Sequence, residues 1–179
     1  MGSHVSASPN HQVGRATPLL TRFICVASGN FGYEMDLGKL DEKEQEEVKE
    51  QIALYKKIRP TIEFGKFYRL ISPFEGTLNE TSWEFISEDG REVILMYFKN
   101  NSEPSSRLRR VRFKYLEESA SYQVVHHLHT KSIGLNEYVK NYNLEGEIFT
   151  ASQLMFAGLT MDRVDADFAS YLIVLHKQN

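Results

Sequence analysis

Apolar residues change their spacing once along this chain, near Phe64. Before that point they recur every three or four positions in two stretches. Leu19, Leu20, Phe23, Ile24 and Ala27 follow helical spacing from Thr17 onward, with Pro18 suited to a first turn and Gly29 to a helix end. The clearer helix covers residues 41–59, where Val48, Ile52, Tyr55 and Ile58 mark one stripe. Acids crowd its first turns and Lys56, Lys57 and Arg59 its last. Asp41 with Glu44 three residues on is a capping-box pattern, and Pro60 predicts the end. The dense charge on the other side reads as a solvated face. Extended segments precede both helices, over residues 1–6 and 31–37. Two strand-helix units in succession predict a parallel sheet or barrel, although two units cannot close one.

After Phe64 the period becomes two. Strands are predicted over residues 67–71, 82–87 and 91–99, with Asp89-Gly90 between the last two as the strongest hairpin signal. Residues 110–115 alternate strictly, which sends Val111, Phe113 and Tyr115 to a core and the cations to water. Residues 121–126, 147–150, 154–159 and 170–177 complete about eight strands, the pattern of an antiparallel β-sandwich. Residues 131–143, polar and rich in Asn, read as an exposed loop. The fold class is therefore mixed, with a strand-helix part over residues 1–65 and an all-β antiparallel sandwich domain over residues 66–179.

Composition narrows the function classes. With 41% apolar and 25% charged residues the chain is neither disordered nor collagen-like. A net charge of -3 offers no broad field for nucleic acid or an anionic membrane, and no run approaches the roughly 20 apolar residues of a span. Cys25, the single cysteine, lies in an apolar helical run without an internal disulfide partner, which fits a cytoplasmic setting. The opening Met-Gly-Ser-His runs unbroken into Val-Ser-Ala-Ser-Pro-Asn-His-Gln and reads as native sequence rather than a tag.

Several constellations invite chemistry. Glu34 and Asp36, two apart on a predicted strand, would share a face roughly 6 to 7 Å apart, a separation that glycoside hydrolysis uses. Pairing with a nearby Arg or capping the next helix accounts for them more simply. His4, Asn10 and His11 would stand at a strand end and in the loop after it, where barrels build their sites. The bland alternative is loop architecture around Pro9. His126, His127 and His129 suggest a metal, yet no aligned third ligand follows. Arg107, Arg109, Arg110, Arg112 and Lys114 interleave with Phe113 and Tyr115. Alternation parts the aromatics from most of the cations, so a solvated strand face or subunit contact explains them better than nucleic acid. Trp83, Tyr97, Phe98 and Tyr115 could offer a sugar-stacking platform, although aromatics on strands are more often core.

MGSHVSASPNHQVGRATPLLTRF, followed by GNFGYEMDLGKL and IRPTIEFGKFYRL, resembles the carboxyl-terminal part of the microbial α-galactosidases of glycoside hydrolase family 36. The similarity runs through most of the chain and is strongest up to about Phe74. It implies that the chain begins near the seventh strand of a (β/α)8 barrel, keeps the last two strand-helix units and continues into the family's antiparallel β-domain. It further implies a retaining, cofactor-free and metal-free hydrolysis of terminal α-galactosyl residues, as in melibiose or raffinose. Neither the nucleophile's Lys-Trp-Asp-like motif nor the acid/base's Ser-Asp-Asn-like motif is present, so no catalytic residue carries over. His4, Asn10, His11 and Asp36 are left as walls of the galactoside pocket. The resemblance also leaves room for homo-oligomer contacts on the β-domain. It leads us to expect self-association or local disorder where the first sixty residues lack barrel neighbours. The competing class is a non-catalytic carbohydrate-binding or protein-interaction module.

Overall fold

The computed structural model describes residues 2–76, 78–104, 109–130, 143–161 and 167–178. Strand β1 (Gly2–Ser6) and strand β2 (Asn30–Glu34) pair in parallel, with helix α1 (Leu19–Val26) as the crossover. A 3-10 turn, Leu37–Lys39, leads to helix α2 (Glu42–Phe64). The remaining strands are β3 (Lys66–Ile71), β4 (Glu80–Ile86), β5 (Glu92–Lys99), β6 (Arg109–Val111), β7 (Ser121–His129), β8 (Ile148–Thr150), β9 (Leu159–Met161) and β10 (Ala169–Lys177). Six of them form an antiparallel sheet in the order β3-β4-β5-β10-β7-β8, while β6 and β9 form a separate ribbon.

Both faces of the sheet are covered, which explains why β5 and β10 read as unbroken apolar runs. On one face Phe85, Ile94, Met96, Phe98, Leu172 and Val174 pack against Phe23 and Ile24 of α1 and Leu54, Ile58 and Ile62 of α2. On the other, Val93, Leu95, Tyr97, Tyr171 and Ile173 pack against Val111, Leu159 and Met161 of the ribbon, with Phe113 and Leu154. The second layer is thus a two-stranded ribbon with its flanking turns. Apolar faces that seemed bare in a barrel remnant are covered by the sheet instead.

A buried hydroxyl cluster fastens α1 to this sheet. Thr21 donates to the Phe168 carbonyl at 2.7 Å, and its Oγ1 lies 3.1 Å from Thr130 Oγ1 and 3.0 Å from Ser170 Oγ. Thr21→Val keeps the shape and removes the hydroxyl, stranding buried partners at a cost of roughly 1–3 kcal/mol. The expected result is a Tm lower by about 5 °C in a thermal melt.

Three predicted elements take other forms. Helix α2 runs through Pro60 to Phe64. The missing N–H and ring clash cost about 3 kcal/mol, which burial of Ile58 and Ile62 and a Thr61–Glu92 hydrogen bond offset. The alternation at residues 110–115 does bury Val111 and Phe113, yet pairing stops at Val111 and Tyr115 is exposed with φ +56°. Within residues 154–159, Gln153–Ala157 is a π-helical turn and only Leu159 onward is strand. The predicted loop over residues 131–143 lies outside the described residues except for Asn143.

Candidate functional site

Parallel pairing places the carboxyl ends of β1 and β2 side by side. Ser3 and Val5 turn toward the helices: Ser3 Oγ donates to the Val26 carbonyl, and Val5 is buried with Leu19 and Val48. Alternation therefore sends His4 and Ser6, with Gly32 and Glu34 opposite them, to the other face. There His4 Nε2 lies 2.6 Å from Glu34 Oε2. Both side chains are more than half exposed.

Arg22 supports the end of β1. Its Nη1 donates to the Ser6 carbonyl at 2.6 Å and its Nε to the Thr17 carbonyl at 3.2 Å. Beside β1 lies a cavity of about 370 Å³ whose wall includes His4, Arg15, Arg22, Cys25, Trp83 and Lys99. Cys25 opens to this cavity with its surface partly exposed, and the desolvation around it pushes its thiol up to about 11. That leaves it unreactive near neutrality. Sequence reading missed Arg22, since nothing in its spacing separates a carbonyl clamp from a solvated cation.

The predicted pocket residues part company. Asn10 serves its own loop, where Oδ1 accepts the amides of Gln12 at 3.0 Å and Val13 at 3.2 Å. His11 is exposed on the same loop. Strand β2 ends at Glu34, so the shared carboxylate face does not form. Asp36 instead caps the 3-10 turn through the Gly38 amide at 3.0 Å, and Lys39 lies 3.9 Å away. Of the four, His4 alone meets a second ionisable group in strand-end geometry.

The other constellations resolve into structure. His127 Nδ1 accepts the Leu144 amide at 3.2 Å, and burial, then the neighbouring His129, pushes its pKa down to about 4. Among the described residues no three His, Cys, Asp or Glu side chains converge as a metal site would need. Arg109 pairs with Glu80 at 2.9 Å and Lys114 Nζ donates to the Arg69 carbonyl, while Arg107 lies outside the described residues. Trp83 stacks on Phe98 at 5.0 Å on the helical face, whereas Tyr97 belongs to the opposite core and Tyr115 leans on Tyr68. They share no platform.

Comparison with known proteins adds what geometry alone does not. Residues 80–175, more than half of the chain, match the model of the glycosyl hydrolase family 36 C-terminal domain. The chain belongs to glycoside hydrolase family 36. Residues 1–65 match the Melibiase family model. Alpha-galactosidase AgaA of Geobacillus stearothermophilus is 40% identical over 172 residues, 96% of this chain and 21% of that enzyme. Its crystal structure superposes on 99% of this family 36 chain, and on 22% of its own, with a TM-score of 0.83. The α-galactosidase of Lactobacillus brevis, 34% identical, gives the same TM-score over 100% of this chain and 22% of its own. Variants of AgaA have been crystallised with raffinose and with stachyose. The chain spans about a fifth of the length of these relatives. The mixed architecture, a parallel strand pair with two helices beside an antiparallel sheet, is consistent with a barrel end followed by the family's β-domain. No helix among the described residues is long and apolar enough to cross a membrane.

Proposed function

We propose that this chain is the carboxyl-terminal part of a retaining α-galactosidase acting on terminal α-galactosyl residues of oligosaccharides such as melibiose or raffinose. The observation that carries the reading is the parallel β1–β2 pair, with His4 and Glu34 joined at its carboxyl end, set on a family 36 C-terminal domain. Retaining hydrolysis needs two carboxyl groups about 5 to 5.5 Å apart across the scissile bond. Glu34 is engaged by His4 and Asp36 by its turn, and the family's nucleophile and acid/base motifs are absent from the sequence, which supports placing both catalytic carboxylates on barrel strands outside residues 1–179. His4 supplies pocket wall, a ring nitrogen able to bond a sugar hydroxyl or orient a carboxylate, with Glu34 fixing its orientation. Asn10 and His11 shape the rim through their loop, and Asp36 sets where β2 ends. No cofactor enters this chemistry. A cytoplasmic setting fits the unpaired Cys25.

The test is release of nitrophenol from an aryl α-galactoside by the 179-residue chain, beside a galactose titration. Neither turnover nor binding is expected. Turnover above a heat-killed control would place catalytic carboxylates inside these residues, and binding without turnover would favour a carbohydrate-binding module. Within a complete enzyme carrying this chain, His4→Ala is expected to lower kcat/KM roughly tenfold, the scale of one lost hydrogen bond.

A further inference from the structure

Glu84 stands apart from everything the proposed activity uses. It lies in β4 with 0% of its surface exposed, on the sheet face that carries the larger core. Its strand neighbours are Tyr68 of β3 and Leu95 of β5. Oε1 accepts the Lys114 amide at 2.9 Å, while Oε2 has no partner among the described residues. The turn that offers that amide is anchored on both sides: Phe113 donates its amide to the Leu154 carbonyl at 3.1 Å, and Phe113 and Leu116 are buried in the core. Lys114 Nζ donates to the Arg69 carbonyl at 3.2 Å, and the Tyr115 ring lies 4.4 Å from that of Tyr68. Tyr115 holds these positions at φ +56° with 69% of its surface exposed. A non-glycine residue in that region is strained, so Lys114 and Tyr115, exposed between the two buried anchors, stay down only while their own contacts outweigh the strain.

We propose that Glu84 is an alkaline release for the turn at Lys114 and Tyr115: its buried carboxyl holds the turn on the sheet while neutral and lets it lift when ionised, with Phe113 and Leu116 staying in the core. The neutral acid presents a carbonyl oxygen to the Lys114 amide, at the cost of one unmade hydrogen bond at Oε2. The carboxylate sets a full charge among apolar walls with a single amide donor. Lys114 is the charged group that faces it, with its ammonium turned toward the Arg69 carbonyl; β3 and β5 present Tyr68 and Leu95. The turn is the outermost element touching Glu84, so lifting it is the shortest route from the carboxylate to water.

Burial raises the carboxyl to about 8, against the pull of the Lys114 amide and ammonium. Its ordinary value of 4.5 returns once it is exposed. Between those values the closed form holds a proton that the open form does not. Opening is therefore favoured tenfold per pH unit as pH rises to about 8, and levels off above it.

Amide hydrogen exchange of the chain and of Glu84→Gln, compared at each pH from 6 to 9, reads this directly, because intrinsic exchange chemistry cancels in the ratio. Gln keeps the carbonyl acceptor and never ionises. The wild-type to variant ratio at Lys114 is expected to rise about tenfold per unit to pH 8 and then flatten, while Phe113, Leu95 and Ile173 stay level. A flat ratio at the turn overturns the proposal, as does a rise at Leu95 and Ile173 in step with it. Should Glu84→Gln not fold, the carbon-13 shift of the wild-type Glu84 carboxyl decides. A midpoint near 8 accompanied by the Lys114 amide supports the release, and one near 4.5 overturns it.

Discussion

Gly158→Ala is expected to destabilise the chain by roughly 3 kcal/mol or more, seen as a lower midpoint of urea unfolding at unchanged slope. Two costs meet at this residue. Its backbone sits at φ +75° and ψ 169°, a region essentially reserved for glycine. A Cβ added there would also lie 2.6 Å from the Val111 carbonyl oxygen and 2.9 Å from its carbon. Those are backbone atoms of the β6 residue that pairs with Leu159, so neither can move without opening the ribbon. Gly146→Ala separates the two costs, since Gly146 has φ +90° and nothing within 4 Å of a new Cβ. Conformational strain alone predicts about 1 kcal/mol there. Equal losses at both glycines would mean that close approach to Val111 does not limit Gly158.

Phe23→Ala is expected to cost about 3 to 5 kcal/mol. The ring is completely buried and meets Phe31 edge to face at 5.3 Å. It belongs to the core that α1 and α2 share with β4, β5 and β10, so its loss loosens the platform that carries His4 as well as the sheet. Calorimetry on the variant should show one transition at lower temperature. A loss below 1 kcal/mol would show that the helices only rest on the sheet.

Local signals were legible wherever the backbone settles its own hydrogen bonds. The capping box forms as read, with Glu44 N donating to Asp41 Oδ1 at 2.8 Å and Asp41 N to Glu44 Oε2 at 3.3 Å. The Asp89-Gly90 turn closes β4 onto β5, with Gly90 at φ +70°. Signals failed where a distant residue made the decision. Pro60 reads as a stop because its local cost is plain, whereas the burial that outweighs it comes from strands tens of residues away. Alternation over residues 110–115 could not show that the Lys114 amide would leave the ladder for Glu84. Residues 154–159 are apolar without a clean period, and Gly158, the punctuation in that run, marks the real boundary.

The candidate site was half visible. His4 could be placed by strand parity, but its contact with Glu34 depends on parallel register, which Gly2↔Asn30 fixes and spacing does not. Asn10 and Asp36 carry the side chains that turns favour, and turns are where the structure uses them.

Strand β10 is the last in sequence and lies between β5 and β7 in the sheet. On the ribosome, β5 emerges with the edge that pairs with β10 open and α1 without Leu172 and Val174, and both wait through residues 100–168 for that strand. During that interval the backbone groups along that edge of β5 are unpaired, a template for wrong pairing. Closing this sheet therefore waits on β10, and a slow codon between β5 and β10 is expected to lengthen that wait.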